Sequence, residues 1–122
     1  MAAPNVVGVT SIFGKTVGAA LGTTLTTNLL TCASDKLLKI NTILVSNVDG
    51  SNDANVTVVF YDSSATASYK IANVIKVPAG SSLVVLGKDS PLYLEESDEI
   101  RGGASAASDL EIIISYEELD DA

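Results

Sequence analysis

The chain contains no histidine, no tryptophan and a single cysteine, Cys32, among its 122 residues. Without histidine it lacks the side chain that most often shuttles protons near neutral pH and most often ligates metals. A serine nucleophile has no imidazole to take its proton, and Cys32 has none to hold it as a thiolate. One cysteine closes no intramolecular disulfide, so the fold does not depend on an oxidising compartment. Cys32 reads as a small buried apolar residue. Carboxylate pairs of the kind that cleave glycosides are present in the composition, but the tryptophan platform usual at sugar sites is not. No apolar run approaches the ~18 residues a membrane span requires. The opening Met1 to Asn5 lacks the basic start of a secretory signal, and the first cation is Lys15. These absences predict a protein made in a cytosol that is not an enzyme, holds no cofactor or metal, and has no membrane partner.

Basic charge is also scarce. Seven Lys and Arg stand against fifteen Asp and Glu, a net charge of −8. Residues 1–88 carry six lysines and four aspartates, a net +2; residues 89–122 carry Arg101 and eleven carboxylates, a net −10. Phosphate recognition needs a basic face, so nucleic acid is excluded as a partner on electrostatic grounds. The acidic end reads as a solubilising rim, with a face for a cationic partner as the alternative.

What the chain has is short runs of β-branched residues between turn-forming ones. With 47 % apolar residues and only 5 % aromatics, the core is aliphatic and one domain's worth in size. Strands are predicted over Leu37–Ser46, Val56–Tyr61, Tyr69–Val77, Leu83–Leu86, Leu92–Leu94, Glu99–Arg101 and Asp109–Tyr116, spaced about ten residues apart with no helix-length pattern. In the first of these the apolar parity slips: Leu38 and Ile40 share one face, Ile43 and Val45 the other. A β-bulge near Asn41–Thr42 reconciles them. Pro78–Ser81 reads as a hairpin turn joining its two flanking strands. Gly102 and Gly103 loosen the strand begun at Glu99.

The predicted fold is all-β: a single antiparallel β-sandwich of jelly-roll or Greek-key type over residues 36–119, with an extended N-terminal arm. Residues 1–35 form the arm and a first strand, within which Thr23–Thr31 is the strand candidate. Glu117–Ala122 reads as a frayed acidic tail, with 120–122 outside the sandwich.

Three segments carry motif-like spacing. Gly14-Lys15-Thr16 resembles the end of a phosphate-binding loop, but that loop needs Gly at position 9, which is Val. Asp49 to Asp53 has closely spaced oxygen ligands, yet an EF-hand reading places Ala54 and Phe60 at its glycine and glutamate positions, so an Asx turn is preferred. Glu95, Glu96, Asp98 and Glu99 either gather a cation weakly or solvate one end of the sandwich.

Sheet edges recruit other strands unless guarded. Lys70, Lys76 and Pro78 are candidate guards on the strand from Tyr69. The N-terminal arm has no comparable set. Val6, Val9, Ile12, Phe13, Val17 and Leu21 are apolar, with only Lys15 among them, and are the candidate partner-binding residues, docking on a neighbouring subunit by strand addition or groove filling. Packing of the arm on its own sandwich is the competing arrangement.

The order Lys39–Gly50, Val56–Asp62, Val77–Val85, Leu94–Gly102 and Asp109–Tyr116 resembles small β-sandwich virion proteins of tailed bacteriophages, the head-decoration or cement proteins. The resemblance covers about Lys36 to Leu119 and rests on strand and turn text. It implies a protein made in the host cytoplasm and placed on the capsid exterior, where it binds the major capsid protein and stabilises the shell, as a homo-oligomer and possibly a trimer. A tail or fibre component, and a carbohydrate- or host-surface-binding module, are the alternatives.

Overall fold

In the computed structural model, residues 11–25 and 28–120 are described. Nine strands make up all of the regular structure among them: β1 Ser11–Ala20, β2 Asn28–Thr31, β3 Lys36–Asn47, β4 Ala54–Asp62, β5 Ala67–Val77, β6 Ser82–Leu86, β7 Leu92–Leu94, β8 Glu99–Ala104 and β9 Leu110–Asp120. No described helix is long and apolar enough to cross a membrane.

The strands form two antiparallel sheets. Sheet A runs β1-β9-β3-β6, with β7 pairing the other half of the β3 edge, and sheet B runs β2-β8-β4-β5. With β7 set aside, this is the alternating order of a jelly roll. Side chains of period two bury one face of each sheet against the other. The core holds Leu38, Ile40, Ile43 and Val45 from β3, Val56 and Val58 from β4, Ile100 from β8, and Leu110, Ile112 and Ile114 from β9.

The bulge in β3 is where the apolar pattern placed it. Ile40 pairs Tyr116 and Thr42 pairs Ser115, so Asn41 is the extra residue. Because it resets the parity, Leu38, Ile40, Ile43 and Val45 all point inward and are all buried.

Four expectations need correction. Ser11–Ala20 is not a free arm: it pairs β9 over all ten residues. Its inner face carries Val17 and Ala19 against the core, which is enough to seat an edge strand. Regular structure in the next segment is confined to Asn28–Thr31; Thr26 and Thr27 lie outside the described residues. The turn at Pro78–Ser81 forms, with the Ser81 amide donating to the Pro78 carbonyl at 3.0 Å and Gly80 at φ +70°. It joins no hairpin, however, because β5 belongs to sheet B and β6 to sheet A. The turn is instead held across the sandwich end, where the Asn47 amide donates to the Ser81 carbonyl at 2.8 Å and the Ala79 amide to Asp53 at 2.9 Å. Finally, the acidic C-terminal stretch is ordered strand through Asp120: Leu119 is buried and Asp120 meets the Lys36 ammonium at 2.8 Å. Asp121 and Ala122 lie outside the described residues.

Candidate interaction surface

Asp98 is buried, and its carboxylate accepts the amides of Ser63 and Glu95, each at 3.0 Å. Glu96 accepts the Asp35 amide at 2.8 Å, and Glu99 accepts the Arg101 Nε at 2.8 Å. These carboxylates pin the turns at one end of the sandwich rather than converge on a point. No group of three or more potential metal ligands occurs among the described residues. At the other end, Asp49 Oδ1 accepts the amides of Ser51 at 2.8 Å and Asn52 at 3.3 Å, an Asx turn. Those bonds, led by the Ser51 amide, hold its carboxyl below the usual range. The Ala79 amide first, and then Lys76, do the same for Asp53.

Cys32 is buried, with its thiol donating toward the Lys36 carbonyl at 3.2 Å. Burial is the main cause that pushes its pKa to about 11, so at neutral pH it is a thiol and a poor nucleophile. Gly14-Lys15-Thr16 lies inside β1 and opens no helix. Arg101 lies 4.0 Å over the Tyr61 ring, and its Nε is tied to Glu99 at 2.8 Å. A cleft lined by Thr23, Leu25, Thr57, Val74 and Gly103 has a volume of about 170 Å³, short of the ~300 Å³ at the lower end for small-molecule sites.

The sheet edges are more informative. Edge strands carry unpaired backbone groups and are normally blunted. β5 is blunted: Lys70 and Lys76 are exposed on it, its register against β4 shifts twice, and Val74 sits at φ +51°. Pro78 follows directly in the turn. β2 has four residues and a register shift against β8. The far edge of sheet A is split into β6 and β7 by the loop from Gly87 to Pro91. Against these, β1 is ten residues long, pairs β9 with no register shift and contains no proline.

Two observations fix which way its backbone groups point. The Leu21 amide donates to the Leu110 carbonyl at 2.9 Å, one step beyond the Ala20–Glu111 pair that ends the β1–β9 ladder and in the same register. Hydrogen-bonded and non-bonded pairs alternate in an antiparallel ladder. The odd-numbered residues of β1 therefore bond to β9, while the N–H and C=O of Ile12, Gly14, Thr16, Gly18 and Ala20 face away from it. The Val48 amide bonded to the Asp109 carbonyl at 2.8 Å puts the complementary set of β9 residues on β3, in agreement.

The sequence candidates divide along this strand. Ile12 and Phe13 are 58 % and 49 % exposed, the most open large apolar side chains of β1. Val17 is half-buried against the core. Leu21 is 1 % exposed and belongs to the core, so it is corrected from a docking residue to a packing one. Val6 and Val9 lie outside the described residues. Lys15, the strand's one charge, meets Glu118 at 3.1 Å. Sequence reasoning did not find the Glu118 ion pair or the Val74 bulge, because each depends on a partner distant along the chain. It singled out Asp98 within the acidic cluster but not its burial or its bond from the Ser63 amide.

No protein-family model matches the sequence, and neither does any curated protein. A solved structure from Bacillus endospore appendages, described as a novel family of disulfide-linked pili, is similar in fold, with a TM-score of 0.51 and 16 % identity over 92 % of this chain and 90 % of that one.

Proposed function

We propose that this chain is a non-enzymatic structural subunit, and that within that class it is a capsid-decoration protein that binds the major capsid protein of a tailed-phage head from outside. The observation that carries the structural role is the β1 edge: long, regular and without a guard among the described residues, with Ile12 and Phe13 exposed beside it, while the other described edges are interrupted or guarded. The placement on a head rests on the strand and turn text that resembles decoration proteins. In this reading the residues before Ser11, with Val6 and Val9 among them, contact the shell. The net charge of −8 keeps the protein off nucleic acid.

The test is co-sedimentation with undecorated heads. The wild-type chain pellets with heads in hundreds of copies per particle, and a chain lacking residues 1–10 stays in the supernatant with its β-type circular dichroism unchanged. Truncation at residue 21 is a poor substitute, because it also removes β1 and the core residue Leu21. Failure of the wild-type chain to bind heads refutes the capsid placement.

A fibre subunit is the second reading, favoured by the fold shared with a protein from endospore pili. That protein is described as disulfide-linked; here the single thiol is buried and protonated, so a fibre of this chain forms without disulfides. Filaments in negative stain that persist in reductant support it.

A further inference from the structure

We infer that the β1 edge pairs with the β1 edge of a second copy, antiparallel about a two-fold axis at Thr16, joining two copies of sheet A edge to edge. This names a partner for the edge on which the structural reading rests, and its test needs neither a shell nor a fibre.

The first argument is the phase of the ladder. Because Ile12, Gly14, Thr16, Gly18 and Ala20 present their N–H and C=O outward, an added antiparallel strand must bond to even-numbered residues. Self-pairing therefore places even residues opposite even ones. Two such registers overlap nine residues. In one, Lys15 stands directly opposite Lys15 of the other copy, and like charges in that position are destabilising. In the other, Thr16 faces Thr16, Lys15 faces Val17, Gly14 faces Gly18, Phe13 faces Ala19 and Ile12 faces Ala20. Only the second avoids the clash, and it gains a Thr–Thr cross-strand pair.

The second argument is shape. In the favoured register each large side chain at one end of β1 meets a small one at the other. A hollow of about 280 Å³ lies at that far end, lined by Gly18, Ala19, Ala20, Glu111, Ile112 and Ile113. Gly18, Ala20, Glu111 and Ile113 share the outer face with Ile12. Ile12 of the other copy, opposite Ala20, therefore arrives on the side of the hollow, while Phe13 arrives over Ala19 on the opposite face. The edge is complementary to itself, as a two-fold contact requires. The exposed Ile113 beside Gly18 extends the apolar floor of the hollow.

The third argument is charge. Each copy carries −8, and most acidic surfaces of such a molecule repel a like one. β1 carries one charge, Lys15, which pairs with Glu118 of its own chain. In the favoured register the two Lys15 side chains lie diagonal across the seam rather than directly opposite, each beside its own Glu118. One strand edge lies at the low end of interface sizes, so the dimer is reversible, with a dissociation constant of roughly 10 to 100 µM.

The test is sedimentation velocity of the full chain over a concentration series, with three variants. Thr16→Pro removes an outward N–H that makes no bond to β9, so the monomer keeps its ladder. Gly18→Lys places a guard where an added Cβ meets only the Ile112 carbonyl oxygen at 3.7 Å, ordinary contact. The wild-type chain is expected to pass from monomer to dimer, and both variants to weaken the dimer by at least ~30-fold with unchanged circular dichroism. Thr16→Cys, mildly oxidised, is expected to cross-link to its own kind much faster than Ser64→Cys on an exposed loop. Facing residues of a bonded antiparallel pair lie ~5.5 Å apart at Cα, within disulfide reach. A wild-type chain monomeric at every concentration overturns the inference. So does association that both folded variants leave unchanged, or cross-linking at Thr16 no faster than at Ser64.

Discussion

The amide of Val74 on β5 donates to the hydroxyl of Thr57 on β4 at 3.1 Å, and this bond holds a β-branched residue at φ +51°. The bond takes a backbone donor out of the outer edge of sheet B and bends the strand there. What it does for β5, nothing among the described residues does for β1.

The strain at Val74 has a measurable consequence. Left-handed backbone costs an L-residue with a branched Cβ on the order of 1–2 kcal/mol, and Val74 is exposed, with little packing to lose. Val74→Gly is expected to leave stability unchanged or raise it by up to about 1 kcal/mol, read from urea unfolding. Thr57→Val is expected to lower it by about 1–2 kcal/mol, since it strands the Val74 amide.

Cys32 makes stability fall in alkali. The folded thiol titrates near 11 against an ordinary 9.0, chiefly because burial disfavours the thiolate. Between those values the unfolded chain has released its proton and the folded chain has not. The folded state then binds more protons, and its stability drops as pH climbs from about 9 to about 11. The expected loss attributable to Cys32 is on the order of 2 kcal/mol, absent in Cys32→Ala when the two are compared by urea unfolding across that range. Equal slopes for the two proteins contradict this.

Asp98 anchors the acidic end. It takes amide bonds from Ser63 and Glu95 while buried, so Asp98→Ala leaves both donors without an acceptor. A cost on the order of 2–4 kcal/mol is expected, with partial recovery in Asp98→Asn, whose one carbonyl oxygen still accepts. A thermal midpoint unchanged in Asp98→Ala contradicts the role.

Gly103 is where the segment after β1 passes over β8. A Cβ there meets the Thr24 carbonyl oxygen at 3.1 Å and its carbon at 3.2 Å, so backbone itself must move. Gly103→Ala is expected to cost on the order of 1–3 kcal/mol. Gly14→Ala, with open space around it, is expected to be near neutral.

The strands with strong alternation were legible in the sequence because burial follows period two. Even the β3 bulge showed itself, as a parity slip between Ile40 and Ile43. β1 was read as an arm because Gly14, Gly18 and Ala20 on its outer face blur the contrast with Val17 and Ala19. Which sheet a strand joins depends on partners far along the chain, which is why Pro78–Ser81 suggested a hairpin where the structure has a crossing between sheets. Glu117 to Asp120 resembled a tail by composition, yet β1 and β3 flank it and give its charges Lys15, Lys36 and Lys39 as neighbours. At the candidate surface, the exposed Ile12 and Phe13 were legible from the missing guards, whereas the direction of each amide needed the ladder.

Amide hydrogen exchange along β1 tests the assembly role of its edge most directly. In dilute solution the amides of Lys15, Val17 and Ala19, bonded to β9, are expected to be protected, and those of Gly14, Thr16 and Gly18 to exchange fast. At high concentration the second set is expected to become protected as well. If Gly14, Thr16 and Gly18 exchange at the same rate in the concentrated protein as in the dilute one, the edge is not an assembly surface.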